Sequence, residues 1–144
     1  MTDALYHDAL VRLARESCGA GRLDPPLAEA TRDNPLCGDR VTMEVRLEGG
    51  RIAALAHRVR GCLLCQAAAS FLGRAAPGQR PADVRQGRDL AAALLAGAPP
   101  PGGTWAGLEV FAPVQAAKSR HRCVLLAFEA LGEALSQAEG GKRE

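Results

Sequence analysis

The order of its patterns predicts that this chain folds as an α+β protein, a small antiparallel sheet with helices packed on one face. Three observations carry that reading. Val41, Met43, Val45 and Leu47 alternate with Thr42, Glu44, Arg46 and Glu48, the period of a strand with one buried face. Gly49-Gly50 then turns the chain back through Ile52–Arg60, making a hairpin. From Cys62 onward the apolar residues recur at helical spacing, so the strands come first and most of the helices follow.

Residues 3–17 place Leu5, Ala9, Leu10, Leu13 and Ala14 on one helical stripe, and Cys18-Gly19-Ala20-Gly21 stops that helix. Leu27–Asp33 reads as a short strand, and Pro25-Pro26 before it suits a sheet edge. The hairpin comes next, with Leu55, His57 and Val59 on one face of its return strand. Cys62 opens a helix with Leu64, Ala68, Phe71, Leu72 and Ala75 inward, closed by Pro77-Gly78. Residues 81–96 form another helix with proline in the first turn. "GAPPPGG" is a loop, Gly107–Pro113 a short element, and Trp105 a packing anchor between them. Ser119 caps a last helix from Arg120 to about Ala138, with Val124, Ala127, Phe128, Leu131 and Leu135 inward. "EGGKRE" is a frayed tail.

Composition bounds the function. The 144 residues suit one domain, 1–144, and can bury a core without disulfide staples. Eighteen basic against sixteen acidic residues and only five aromatics argue against a nucleic-acid partner. The longest apolar run, Leu90–Ala98, is too short to span a bilayer, so no membrane is expected. Asp3 and Asp8 interrupt any secretory signal, and a cytoplasmic location follows. There, five cysteines serve metals or catalysis more readily than bridges.

Three of those cysteines sit at element boundaries rather than on buried stripes. Cys37 lies in the turn before the hairpin, Cys62 at a strand-to-helix junction after Gly61, and Cys123 in the first turns of the last helix. With Asp39, two residues beyond Cys37, they make a tetrahedral zinc set of three thiolates and one carboxylate. The hard carboxylate is the exchangeable arm, which suits a site that opens to work. Cys65 makes a CxxC with Cys62 on the same helix face, as a spare ligand, a resolving thiol or a small core residue. A thioredoxin-like reading of that CxxC needs a βαβ setting that is missing.

"NPLCGD" (34–39), "GCLLCQAAAS" (61–70) and "RCVLLAFEAL" (122–131) resemble, in order, the motifs of the U-type iron–sulfur cluster assembly family: IscU, SufU and the N-terminal domain of NifU. The resemblance runs from about Tyr6 to Leu135. The long gap between Cys62 and Cys123 looks like the SufU type. It implies three antiparallel strands with helices on one face, and Cys37, Asp39, Cys62 and Cys123 as ligands of Zn²⁺ or, alternatively, of a [2Fe–2S] cluster. It implies a sulfur carrier rather than a stand-alone enzyme. A SufS- or IscS-type cysteine desulfurase would supply persulfide sulfur, and downstream iron–sulfur assembly proteins would receive it. Cys37 is the acceptor by resemblance to SufU, and Cys123 by resemblance to IscU. A zinc-stabilised interaction module without transfer chemistry is the reading from another class.

The chain departs from the family in places. Arg122 stands where IscU has histidine before the third cysteine, with His121 one place earlier. Cys65 stands where many relatives have serine. "APVQAAKS" replaces the IscU chaperone-binding stretch, so a dedicated chaperone partner is not expected. His121 reads as a ligand or base beside Cys123, or as a solvated first-turn residue. Lys118, Arg120 and Arg122 can offset thiolate charge or meet an acidic partner. Cys18 reads as structural, and His57 as a residue of the sheet surface.

Overall fold

The computed structural model describes residues 8–143. Helix α1 (Asp8–Glu16) is the described part of the first predicted helix; Asp3 and Leu5 lie outside the described residues. Strands β1 (Ala28–Asn34), β2 (Asp39–Glu48) and β3 (Arg51–Arg60) form one antiparallel sheet in the order β1-β2-β3. The proline-preceded β1 is an edge strand, as expected.

Register decides what each face carries. Met43 lies between Ala30 and His57, and Val45 between Ala28 and Leu55. All six are buried, and they make the face on which the helices pack. On the other face the Thr31 and Thr42 hydroxyls meet at 2.8 Å, and Arg58 reaches both Glu29 and Glu44. The segment after α1 crosses that face. The Leu23 N–H donates to Glu44 Oε1 at 2.6 Å, and Arg46 donates to the Pro25 carbonyl at 2.7 Å. Glu44 is therefore buried on the polar side of the sheet.

Helix α2 (Leu63–Ala75) is buried almost all round, because α1, β3 and the last helix, α4 (His121–Arg143), each take part of its surface. Ala67, Ala68 and Ala69 let those neighbours approach. At Gly73 the approach is closest. A Cβ there would fall 1.8 Å from the Cys18 carbonyl oxygen, so only glycine fits. The same carbonyl accepts a 2.7 Å hydrogen bond from His57 Nε2–H. The Cys18–Gly21 segment runs beside β3, exchanging backbone hydrogen bonds with His57. This corrects the reading of His57 as a sheet-surface residue. It is 4% exposed, and its Nδ1 has no partner. Burial pushes its pKa below the ordinary value, against the Cys18 carbonyl, which raises it.

Helix α3 (Pro81–Leu95) packs on α4 and on the segment that joins the two helices. The short element predicted at Gly107–Pro113 is in fact a 3₁₀ segment over Gly103–Ala116. Its buried residues are Trp105, Leu108, Phe111 and Val114, spaced by three, so that they stack along one edge of a three-residue turn. Trp105 is the expected anchor. Its ring lies where a Cβ at Gly87 would stand, 2.7 Å away, and beside Phe71. Ser119 does not cap a helix at Arg120. It lies in a short 3₁₀ turn, Lys118–Arg120, and α4 begins after it. Helix α4 buries Val124, Ala127, Phe128, Leu131 and Leu135 as expected, and it runs on to Arg143, into the stretch read as a frayed tail.

Candidate metal centre

The site is built at one end of the sheet, where β2 begins, β3 ends, and α2 and α4 start. Asn34, the last residue of β1, shapes the approach. Its carbonyl accepts from the Cys37 N–H at 3.1 Å and the Gly38 N–H at 2.8 Å, and its Oδ1 accepts from the Leu36 N–H at 3.3 Å. Gly38 completes the turn at φ +75, a conformation that glycine adopts without strain. Asn34 is 1% exposed. This turn sends Asp39 inward and leaves Cys37 exposed, beside Leu36 at 85% exposure.

The inner donors come from three elements. Asp39 is buried at the start of β2. Its Oδ1 accepts the Cys62 N–H at 3.2 Å, and its Oδ2 accepts the Cys123 thiol at 3.4 Å. Gly61 makes room for it: a Cβ there would stand 2.7 Å from Asp39 Oδ1. Cys62 is the N-cap of α2, in extended conformation, and its side chain caps nothing. Cys65 lies one turn into α2 and is fully buried; Cys123 is buried in the first turn of α4. The donor atoms of Asp39, Cys62, Cys65 and Cys123 all lie within 4.8 Å of one another.

Their protons are shared unequally. The Cys62 thiol is pulled down to about 5, chiefly by the hydrogen bond from Cys65, against burial. Cys65 is pushed up by the same bond and by burial. Cys123 is pushed up first by burial and then by the Cys62 charge. One thiolate thus concentrates on Cys62, partly accessible, with protonated thiols behind it. Three sulfurs and a carboxylate oxygen suit zinc. A tetrahedron with zinc–sulfur bonds of about 2.3 Å spaces its donors roughly 3.7 Å apart, within the observed spread. Thiols bind metal as thiolates, so an ion held by such a cluster would bind more weakly as pH falls.

Of the residues singled out in the sequence, Asp39, Cys62 and Cys123 converge, and Cys65 joins them. Cys37 stands outside this group. His121 also stands outside it: its Nε2–H donates to the Val114 and Gln115 carbonyls at 3.1 and 3.2 Å, closing the 3₁₀ segment. Arg122 is exposed. The sequence reading missed Asn34 and Gly61, which shape the turn and admit the carboxylate. Their signals were the Asn-Pro step and the glycine between a strand and a cysteine.

Known proteins share this fold. The NifU-like N-terminal domain family matches residues 5–102. The iron–sulfur cluster assembly scaffold protein IscU of Thermotoga maritima is 24% identical over 92% of this chain and 94% of its own. The zinc-dependent sulfurtransferase SufU of Bacillus subtilis is 23% identical over 96% and 95%. Among solved structures, a NifU-like protein (N-terminal) from Brucella abortus superposes with a TM-score of 0.91 at 32% identity, covering 96% of this chain and 97% of that one. An assembly scaffold for the SUF system from Fervidobacterium islandicum shares the fold, with a TM-score of 0.86 at 19% identity over 94% and 99%. On the matched family and the Brucella relative, this chain belongs to the NifU-like N-terminal domain family, the U-type group of IscU, SufU and NifU.

Proposed function

We propose that this protein is a SufU-like, zinc-bound sulfur acceptor in iron–sulfur cluster assembly. It takes persulfide sulfur from a cysteine desulfurase and passes it to downstream assembly proteins in the cytoplasm. The observation that carries this reading is the pairing of a buried sulfur-rich donor cluster with an exposed thiol two residues from one of its members. Among the described residues no helix is long and apolar enough to cross a membrane. The Bacillus relative is named a zinc-dependent sulfurtransferase.

Asp39, Cys62 and Cys123 hold the metal, which when bound ties three elements together and keeps their thiols deprotonated. Cys37 is the acceptor. Its thiolate attacks the outer sulfur of the desulfurase persulfide. A new sulfur–sulfur bond forms on Cys37, the old one breaks, and the electron pair leaves with the desulfurase cysteine. No net oxidation is required. Asn34 holds the attacking residue outward through the turn.

The test mixes the protein with a desulfurase, cysteine and a reductant and follows alanine release. Wild type should stimulate, and Cys37→Ser should abolish the stimulation while keeping the fold. Undiminished stimulation by Cys37→Ser moves the role to Cys123. No stimulation by wild type with several desulfurases favours the interaction module without transfer chemistry. A second reading, a scaffold that assembles a [2Fe–2S] cluster on the same thiols, draws on the Thermotoga relative's name. Anaerobic loading with iron and sulfide, read by visible absorption, tests it.

A further inference from the structure

We propose that the fourth metal donor is Cys65, so that the ligand set is Asp39, Cys62, Cys65 and Cys123, and that Cys37 stays free while the metal is bound. The inference rests on the zinc reading above and goes beyond it by changing which thiol holds the metal and which does the chemistry.

Geometry carries it. The four donor atoms already lie within 4.8 Å of one another, each presented by a well-anchored element. Cys62 and Cys65 make a CxxC chelate across the first turn of α2, the spacing common to structural zinc sites. The extended N-cap conformation of Cys62 turns its thiol toward the same cluster, with no capping hydrogen bond to hold it elsewhere. Cys65 is 0% exposed, so in the metal-bound protein it is closed in among the other donors. Cys37 differs on every count. It is exposed, it is outside the cluster, and two backbone amides and one side-chain hydrogen bond to Asn34 define the turn that holds it there. The cluster forms without Cys37, and the turn that carries it is already closed by Asn34. Leaving it in place requires nothing.

The chemistry benefits from the separation. Were Cys37 a ligand, a metal–sulfur bond would have to break before each persulfide transfer. With Cys65 in the set, the metal is saturated by inner donors and the acceptor is a plain surface thiol. The metal then serves the fold, and Cys37 serves the transfer.

The experiment reads metal content and thiol protection, neither of which depends on sulfur transfer. Zinc-loaded protein is treated briefly with iodoacetamide, digested, and mapped by mass spectrometry, with and without a chelator. Cys37 should be alkylated at once in both. Cys62 should be protected until zinc is removed, while Cys65 and Cys123, buried with or without the ion, should react only once chelated protein is also unfolded. In parallel, Cys37→Ser should keep close to one zinc per chain by elemental analysis, while Cys65→Ser should lose at least tenfold in zinc affinity. Mapping needs no variant, so a Cys65→Ser protein that fails to fold does not blunt the test. Zinc-dependent protection of Cys37, or loss of zinc in Cys37→Ser with full retention in Cys65→Ser, overturns the proposal and leaves the zinc reading standing. Wild type without zinc overturns both.

Discussion

Asp39 and Glu44 lie on the same strand, each 3% exposed, and the protein serves them differently. Glu44 is complete. It accepts the Leu23 N–H and pairs with Arg58, and against burial these hold its carboxyl below the ordinary range. Asp39 receives one long amide hydrogen bond and one thiol. Among the described residues no cation pairs with it. A buried carboxylate without a cation is costly unless something else supplies positive charge. The sheet face thus finishes its own electrostatics, and the donor cluster leaves room for an ion. At equal burial, one carboxylate is paired with a cation and the other is not.

Removing the ion should have the largest effect. With zinc at about a hundred times its Kd, chelation should cost about 2.7 kcal/mol, or roughly 8 °C in Tm for a domain of this size. Cys62→Ala should already sit at the chelated value, and Cys18→Ala should follow wild type. Equal melting of these two variants would place the site elsewhere. Next comes Glu44→Ala, which strands the Leu23 amide and leaves Arg58 with Glu29 alone. It should cost about 2 kcal/mol by denaturant titration, the same with and without chelator. A cost that depends on zinc would erase the distinction between the two carboxylates. Asp39→Asn should behave in the opposite way. Its cost in chelated protein should stay below about 1 kcal/mol, because a buried charge is removed, while zinc affinity falls at least tenfold.

The smallest effect should come from His57. Its folded pKa is lowered, so the unfolded chain binds the proton first as pH falls below about 6.5. Stability should be full above that value and decline as pH drops toward the folded pKa. His57→Gln should flatten the slope. A slope of opposite sign would mean that Nδ1 finds an acceptor in solution.

Much of this architecture could be read from residues 41–60, because alternation and a Gly-Gly turn are local signals. The convergence of Asp39, Cys62 and Cys123 was legible in outline, since each stands at an element end. Three features were not. His57 lies on a strand like any other, and only the return of the Cys18–Gly21 segment buries it. The 3₁₀ segment has a pattern of its own. Trp105, Leu108, Phe111 and Val114 recur every three residues, which fits neither the strand nor the α-helix period. Cys37 is exposed and Cys65 buried because Asn34 sets the turn and α2 sets the depth, which a cysteine pattern does not encode. Sequence spacing shows that thiols are available, and the turn decides which one faces outward.

Asp39 and Cys123, which meet at the site, are 84 residues apart along the chain. An ion held by both therefore closes a loop spanning more than half of the molecule. By the chain-entropy relation for crosslinks, a tie that outlasted unfolding would withhold roughly 4.6 kcal/mol of disorder from the unfolded ensemble. A disulfide would do so permanently. A tie made of thiolates and a carboxylate instead lets go when α4 leaves the sheet, so it stabilises the fold by the binding free energy of the ion. Ion release should then keep pace with global unfolding, giving the site a residence time set by the fold.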